Sequence, residues 1–589
     1  MTRKKHTSPA AKGHSSGKAG AVDKAGTKKK ATKNAAPFTP APQEFRTLFY
    51  THVMAADLAL FPAEDRQRIA ASFWQFAHKR KAGAINLRLF NPSPMHDGWT
   101  VDHTVLEIVN DDMPFLVDSV TGALQQRGLS VHLVIHPVMQ VRRDTAGEWR
   151  GVVGNGGKPA KLSGAAPSLG TVRAESLMHI EFDHVLDPAF LQEIEADIRA
   201  VLDDVRVAVT DWPKMRARAA EAMSAAEASK LQETAKEDTE EARKFLGWLS
   251  DNNYTFLGYR DINLVQENGK LTAIKIVPGS GLGILRDGEI RVFGGLRDIN
   301  TQAKQIQRHV QQHQLIAVAK TNLRARVHRP VAMDAVFVRR FDPDGHIVGE
   351  RLFVGLFTSQ SYIQNPRTIP FLRRKIDRVL ARAGLDPTSH DGKSLAHILN
   401  TYPHDELFQI GEDELFRHAM GILQLQERAR VALFVRYDPF ERFATCLIYV
   451  PRDRYDSALR AHIQTFLENA FDGTAEEPHV SIGDSLLARA FITIRLTADS
   501  PRPDVARLEA DLRGVCRAWP DRLRDCLVAE HGEAAALALL RRYGDGFPPA
   551  YRDVATPQMA MRDIYNLERG KMLVPARLMV DLSPADESG

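Results

Sequence analysis

Cysteine is scarce in this chain: three in 589 residues, Cys446, Cys516 and Cys526, none of them in a C-x-x-C pair. That excludes a disulfide framework and a cysteine zinc site, and it fits a reducing compartment. Long hydrophobic runs are missing too. No segment approaches the roughly 18 apolar residues of a membrane span, and no apolar stretch follows the N-terminal lysines as it does in a secretory signal. Catalytic signatures are also absent. No G-x-x-x-x-G-K-[ST], H-E-x-x-H or kinase-type set occurs, and the G-x-S-x-G match at residues 13–17 (GHSSG) lies in the Lys-rich N-terminal stretch rather than between a strand and a helix, so the residues offer no catalytic constellation, no cofactor fingerprint and no metal set.

Charge is present in ordinary amount but unevenly placed. Residues 1–36 carry ten Lys or Arg and one acid, a net of +9, which leaves the remainder at −4 out of a total of +5. A mildly acidic folded part argues against a nucleic-acid-binding core, because phosphate contacts need a clustered basic face. Nucleic acid and membrane are therefore not expected partners of the folded part, and the expected compartment is the cytoplasm. Residues 1–40 hold few large apolar side chains and cannot offset their ordering entropy, so they read as a disordered basic tail. A solubilising tail is one reading; RNA or membrane-surface contact is the other.

Periodicity divides the rest. Residues 41–100 read as a helical N-terminal segment in which Pro62 separates two helices. Residues 101–212 form the first resolvable unit. TVLEIVN is a strand. MPFLVDSVTGALQQRG is a helix stopped by Gly128. LSVHLVIHPVMQVRRD is a long strand or two, and a Gly-rich loop follows it. SLMHIEFDHV is a strand and DPAFLQEIEADIRAVLDDV a helix, and VRVAVTDW is available as a last strand. The order β-α-β-β-α is ferredoxin-like. Residues 213–253 are a helical linker, 254–365 a β-rich unit, 366–430 a helical segment, and 521–589 a helical or irregular end. Residues 431–520 open on a hairpin with its turn at DPFE and continue as α-β-α, again ferredoxin-like.

Several motifs invite chemistry and have simpler readings. PGSGLGIL places Gly279, Gly281 and Gly283 without a following helix, which reads as a β-turn rather than a phosphate loop. His132 and His136 share a strand face but lack a third ligand. Ser389 or Asp391 in SHDGK serves as an N-cap. His404, Asp405 and Glu406 could form a proton-transfer pair, but acids in a first helical turn complement its dipole. The loop NDDMPF is different. Asn110, Asp111 and Asp112 close a strand, and Pro114 and Phe115 stand at the start of a helix. The helix N-terminus leaves N–H groups for a carboxylate, and the Asp side chains could cap them or receive an ammonium. Turn and cap, or an amino-acid site, are both open from the residues alone.

NDDMPFLVDSVTGALQQRGLSVH resembles the first strand, loop and helix of an ACT domain, with Phe115 where that family's loop has Gly after Pro. The resemblance extends further. RGLSVHLVIHPVMQVRRD, FLGWLSDNNYTFLGYR, PGSGLGILR, VHRPVAMDAVFVRRFD, GERLFVGLFTS, SHDGKSLAHILNTYPHDELFQI and DPFERFATCLIYVPRDRY, in this order, resemble the N-terminal half of the large bacterial NAD-specific glutamate dehydrogenases. The resemblance implies an α+β, multidomain fold: two ferredoxin-like (ACT-like) βαββαβ units flanking a β-rich PAS-like unit, with connecting helices. It implies a regulatory, oligomer-forming portion of an enzyme that oxidises L-glutamate with NAD. NAD would belong to the whole enzyme, and no cofactor or catalytic residue to this chain. The implied partners are an amino-acid effector, the catalytic half in cis or in trans, and further copies of the chain. A stand-alone amino-acid-sensing protein is the alternative. The expected ligand loop is Asn110, Asp111, Asp112, Pro114 and Phe115. The ending YNLERGKMLVPARLMVDLSPADESG departs from the family and reads as an abrupt or foreign end.

Overall fold

The structure, a computed structural model, describes residues 40–571 except 60, 156–170, 229–232, 268–269, 291, 293–314, 343–345, 426–427, 429, 439–441, 477–478, 482–484 and 498. The expected basic tail, most of the Gly-rich loop, most of EIRVFGG and the end beyond residue 571 lie outside the described residues. The chain divides into two bodies. One comprises the residues up to Asp112 with Leu124–Asp197, the other Met113–Ala123 with the chain from Ile198 onward.

The first body opens with α1 (Gln43–Phe49), α2 (Ala55–Ala59) and α3 (Ala63–Ala77), the last preceded by Pro62 at its N-cap. A strand not expected in this segment follows, β1 (Asn86–Phe90). Next come β2 (Thr104–Asp111), α4 (Leu116–Gln126, of which Leu116–Ala123 is counted with the second body), β3 (Val131–Ile135), β4 (Val138–Arg143), β5 (Trp149–Asn155) and β6 (Thr171–Phe182). Pro137 has no N–H to give and separates β3 from β4, so the long apolar run is two strands. Trp149–Asn155, read as the start of a loop, pairs with β4 instead.

The sheet runs β1-β2-β6-β4-β5, with β3 also on β6, and all its pairs are antiparallel. The expected closing strand is not VRVAVTDW. That stretch lies inside α5 (Pro188–Ala228), which continues through Pro213. The alternating Val205, Val207 and Val209 resemble a strand. The buried positions Ile198, Val201, Leu202, Val205, Ala208, Met215 and Ala219 nevertheless keep the helical period, and that period wins. The place beside β2 is taken by β1, from before the unit. One face of the sheet is covered by α1 and α3 through Phe45, Phe49, Phe73 and Trp149. Phe45 and Trp74 each meet Trp149 edge-on, at 5.8 and 5.0 Å between ring centroids.

After α6 (Glu233–Trp248), the second body builds an antiparallel sheet from β7 (Tyr254–Glu267), β8 (Lys270–Ile276), β9 (Leu282–Gly283), β10 (Ile316–Arg324), β11 (Ala332–Phe341) and β12 (Ile347–Phe357). Its order is β10-β11-β12-β7-β8, with β9 on β7. The register shifts at Gly355, where a Cβ would lie 2.0 Å from the Thr255 carbonyl oxygen, so only Gly lets β12 approach β7 there. Short α7 (Ser359–Ile363) leads to α8 (Leu372–Ala383), α9 (His390–Asn400), α10 (His404–Gln409) and α11 (Glu412–Leu423). These helices share a core with the sheet, in which Phe357 and Phe408 stack at 4.5 Å. Ser389 is the N-cap of α9, its Oγ accepting from Gly392 N at 3.0 Å.

The next sheet is β13 (Ala432–Tyr437), β14 (Phe443–Pro451), β15 (Thr474–Ala475), β16 (His479–Ser481) and β17 (Leu487–Arg495), ordered β13-β14-β17-β15 with β16 on β17. Its core is closed by α12 (Ser457–Phe471) and α13 (Val505–Val515). The expected hairpin and the helices around β17 are present; as in the first unit, the strands do not follow β-α-β-β-α-β in chain order. Helices α14 (Trp519–His531), α15 (Glu533–Tyr543), α16 (Pro549–Val554) and α17 (Pro557–Lys571) gather around Trp519, Leu527 and Ile564.

Glu175 of β6 fixes the first body. Its Oε1 receives Arg80 Nη1 and Arg143 Nε, both at 2.7 Å, and its Oε2 receives Arg143 Nη2 at 2.8 Å. Arg143 also donates to the carbonyls of Ala77 and His78 at the end of α3, so one carboxylate ties helix to sheet. Glu175 and Arg80 are wholly buried. Removing one partner of such a group strands charge in the interior. Glu175→Ala is expected to lower the unfolding free energy by about 3–5 kcal/mol in urea titration; a loss below about 1 kcal/mol would contradict this role.

Candidate functional site

The expected ligand loop divides between the two bodies after Asp112. In the first, Asn110 is buried on β2 opposite Ser176, and Asp111 stands opposite Glu175. Asp111 Oδ1 receives Arg80 Nη2 at 2.5 Å. Asp112 is exposed, and its N–H donates to Ala174 O at 2.9 Å. In the second, Pro114 is exposed, and Phe115 takes φ +73°, the left-handed conformation that Gly adopts without penalty. The loop thus keeps a Gly-type backbone with a Phe in it. Phe115 O accepts from Ser119 N at 3.1 Å and Ser119 Oγ at 2.5 Å, and the ring lies 5.2 Å from that of His328. His328 N donates to Ser119 Oγ at 2.8 Å.

Three other motifs resolve locally. PGSGLGIL is a turn gripped by α5. Asp211 Oδ2 accepts from Gly283 N at 2.9 Å and Arg286 Nε at 2.5 Å. A Cβ on Gly283 would lie 2.1 Å from Leu257 O, so its Gly serves close packing. The Arg286 guanidinium holds the Asp211 carboxyl down at about 2. His136 meets Ser176 Oγ at 2.8 Å, and His132 meets Asp183 at 2.8 Å while stacking on His103 at 4.2 Å. Among the described residues no group of His, Cys, Asp or Glu is placed to hold a metal ion.

His103 ends a buried chain of charge that sequence reading missed. Arg88, Glu107 and His179 lie opposite one another on β1, β2 and β6. Arg88 Nε reaches Glu107 Oε2 at 2.6 Å, and His179 Nδ1 reaches Glu107 Oε1 at 2.9 Å. Glu181 then meets His179 at 3.4 Å and His103 at 3.0 Å. Burial pulls the His179 imidazolium down, but the hydrogen bonds and charges of Glu107 and Glu181 outweigh it and hold it up at about 9.

The larger assembly lies in the second body, around His404–Glu406. These residues occupy the first turn of α10, but their side chains do more than meet its dipole. His404 Nε2 meets Gln364 O at 3.0 Å. Glu406 is buried and binds Arg436 twice, at 2.5 and 2.7 Å, and Thr445 Oγ1 at 3.0 Å. Asp405 accepts from Tyr362 OH at 2.7 Å and pairs with Lys320 Nζ at 3.2 Å. Lys320 Nζ also pairs with Asp334 Oδ1 at 2.8 Å. Beside this cluster opens a cavity of about 730 Å³, walled by the β10–β12 sheet, by the segments around Tyr362 and Thr401, and by Arg489 and Phe491 of β17.

Burial pulls the Lys320 ammonium down, yet Asp334 and Asp405 outweigh it and raise it above its ordinary value. Burial raises Asp334 against the opposing pull of Lys320. Burial, then Asp405, raises the Tyr362 phenol, and burial lowers His404. At neutral pH Lys320 is charged and Tyr362 neutral, so neither is a poised base. The arrangement is suited to binding by charge and hydrogen bond. Its residues are scattered from Lys320 to Arg489, and no local spacing joins them.

Comparison with known proteins places these elements in one family. Glutamate dehydrogenase, ACT1 domain matches residues 45–198, and helical motif 1 matches residues 369–428. The ACT2 domain matches residues 432–520, and helical motif 2 residues 526–569. Over 525 residues, 89% of the chain, it is 37% identical to the NAD-specific glutamate dehydrogenase of Halomonas elongata, covering 32% of that protein. The protein of the same name from Pseudomonas aeruginosa is 34% identical over 89% of the chain and 31% of its own length. That of Mycobacterium tuberculosis is 29% identical over 78% of the chain and 27% of its own length. The chain spans about a third of the length of the curated relatives it matches.

A histidine whose folded-state pKa is raised contributes stability below its unfolded value of 6.5 and loses it as pH rises through about 9. The stability gap between the protein and its His179→Gln variant is expected to be about 3 kcal/mol below that window and to close above it. Urea unfolding at a series of pH values measures it; a constant gap from roughly pH 6 to 10 would exclude a protonated His179.

Proposed function

The chain belongs to the NAD-specific glutamate dehydrogenase family, and from that membership we propose that it is the N-terminal regulatory portion of such an enzyme. The whole protein would convert L-glutamate, NAD and water to 2-oxoglutarate, ammonium and NADH. Its NAD site and catalytic groups would lie outside these residues. Two matched ACT domains and two helical motifs, in a chain spanning a third of its relatives, carry this reading. The ion-paired cluster of Lys320, Asp334 and Asp405 supports it, being suited to binding.

The regulatory act would be to take up an amino acid and bias the catalytic part, which requires different affinity in two states. The loop Asn110–Phe115 is the proposed amino-acid site. Asp111 is held by Arg80, so an ammonium there competes with a guanidinium, whereas Asp112 is exposed and open to one. The sheet order β8-β7-β12-β11-β10, with first and last strands side by side, supports a PAS-like reading of the β-rich unit. Among the described residues no helix is long and apolar enough to cross a membrane. The proposed setting is a homo-oligomer in the cytoplasm, joined to the catalytic part in cis or in trans.

Spectrophotometry of the purified 589-residue chain with L-glutamate and NAD is expected to give no NADH; turnover would refute the division of labour. Calorimetry across the twenty amino acids is expected to give saturable heat with one or a few, weakened by Asp112→Ala. A flat response to all of them would remove the sensing role.

A further inference from the structure

The cavity beside Lys320 has the dimensions of a small-molecule site. Its cations are unequally matched. Lys320 is answered by Asp334 and Asp405. The other two, Arg329 and Arg489, form no ion pair with a carboxylate among the described residues, although the Arg329 charge is near enough to pull the Asp334 carboxyl down. Arg329 Nη2 donates to Phe357 O at 2.7 Å, and its Nε is shut from solvent without a hydrogen-bond partner among the described residues. Arg489 Nη1 donates to Thr401 O at 2.5 Å, and its other side-chain partner is Tyr449. Asn400 Oδ1, also on the cavity wall, is buried and unpartnered among the described residues. Burial keeps His404 neutral, so the wall carries three cations against two carboxylates.

The rest of the lining is mainly apolar and includes Leu356, Tyr362, Tyr402 and Phe491. It contains no Gly of the kind that lets a phosphate approach the backbone closely. Val331, Ile363 and Val480 are 41%, 84% and 37% exposed, so the cavity opens to solvent along an apolar rim. A guanidinium fork pairs with a carboxylate through two parallel hydrogen bonds, and such pairs are strong when sheltered from water.

We propose that this cavity binds a small dicarboxylic acid, with its carboxylates on Arg329 and Arg489 and its carbon chain against Phe491 and Leu356. Arg329 comes from the segment between β10 and β11 and Arg489 from β17. An occupant therefore bridges the β-rich unit and the unit built on β13–β17. The site stands whether or not the chain serves a dehydrogenase, and none of its lining residues belongs to the loop Asn110–Phe115.

Calorimetry of the full chain tests it with succinate as the probe and acetate and inorganic phosphate as controls. Succinate is expected to give saturable one-site heat, and the controls little. Arg329→Gln and Arg489→Gln are each expected to weaken binding roughly tenfold or more. Ile363→Trp, a change at the exposed mouth, is expected to weaken it with the ligand-free melting temperature unchanged. Absence of saturable heat up to about 10 mM succinate, or binding indifferent to all three variants, overturns the proposal. Phosphate binding as tightly as succinate overturns the carboxylate assignment.

Discussion

A charge taken out of water has to be met by another charge or by oriented dipoles, and both bodies are arranged around that constraint. Glu175 answers Arg80 and Arg143, and in doing so joins α3 to the sheet of the first body. Glu406 answers Arg436 and joins α10 to β13 and β14. Lys375 is answered by dipoles: its Nζ donates to Leu407 O at 2.6 Å and Ile410 O at 2.7 Å, the carbonyls at the end of α10. Such pairs add little net stability compared with apolar packing, but breaking them is costly. They therefore select one arrangement of helix on sheet among several that the apolar residues alone would allow.

The same constraint produces the cavity. Lys320, Asp334 and Asp405 satisfy one another in a cluster that fills one side of the junction between the β-rich sheet and α10. Arg442, in the turn between β13 and β14, donates to Lys320 O at 2.6 Å and Asn322 Oδ1 at 2.9 Å, which fastens the hairpin to β10. With both sides pinned by polar contacts, the space beside the cluster is not closed by collapsing apolar side chains. A charged junction that holds its shape while leaving room is what a binding site requires. A molecule held there would touch the β-rich unit together with residues of the helical motif 1 and ACT2 domain matches.

Much of this fold was legible residue by residue, and the errors share a cause. Strands β2, β6, β7 and β11 and helices α8, α9 and α12 follow directly from local sequence, the strands as β-rich apolar runs buried largely on both faces and the helices as apolar stripes at helical spacing. Gly279–Gly283 reads correctly as a turn because no amphipathic α-helix follows it, only the single 3-10 turn Ile284–Arg286. VRVAVTDW misleads because its β-branched residues alternate over a short window, whereas the helical period is visible only across Ile198 to Ala219. Asn86–Phe90 was missed because a five-residue strand has little period of its own and is stabilised by its neighbour β2.

By itself, then, the sequence determined most of the element types, the two repeated mixed units, the family and the lack of a nucleotide fingerprint, since all of these reside in contiguous residues. Tertiary structure alone decided which strand closes the first sheet. It also decided that His404–Glu406 belongs to a charged junction, and that Arg329 and Arg489 share a cavity without an ion pair to a carboxylate among the described residues. The reason is one of range. Periodicity and capping act over a few residues, but a buried charge selects its partner by position in space. Here the partners stand as far apart in the chain as Arg80 and Glu175, or Lys320 and Asp405.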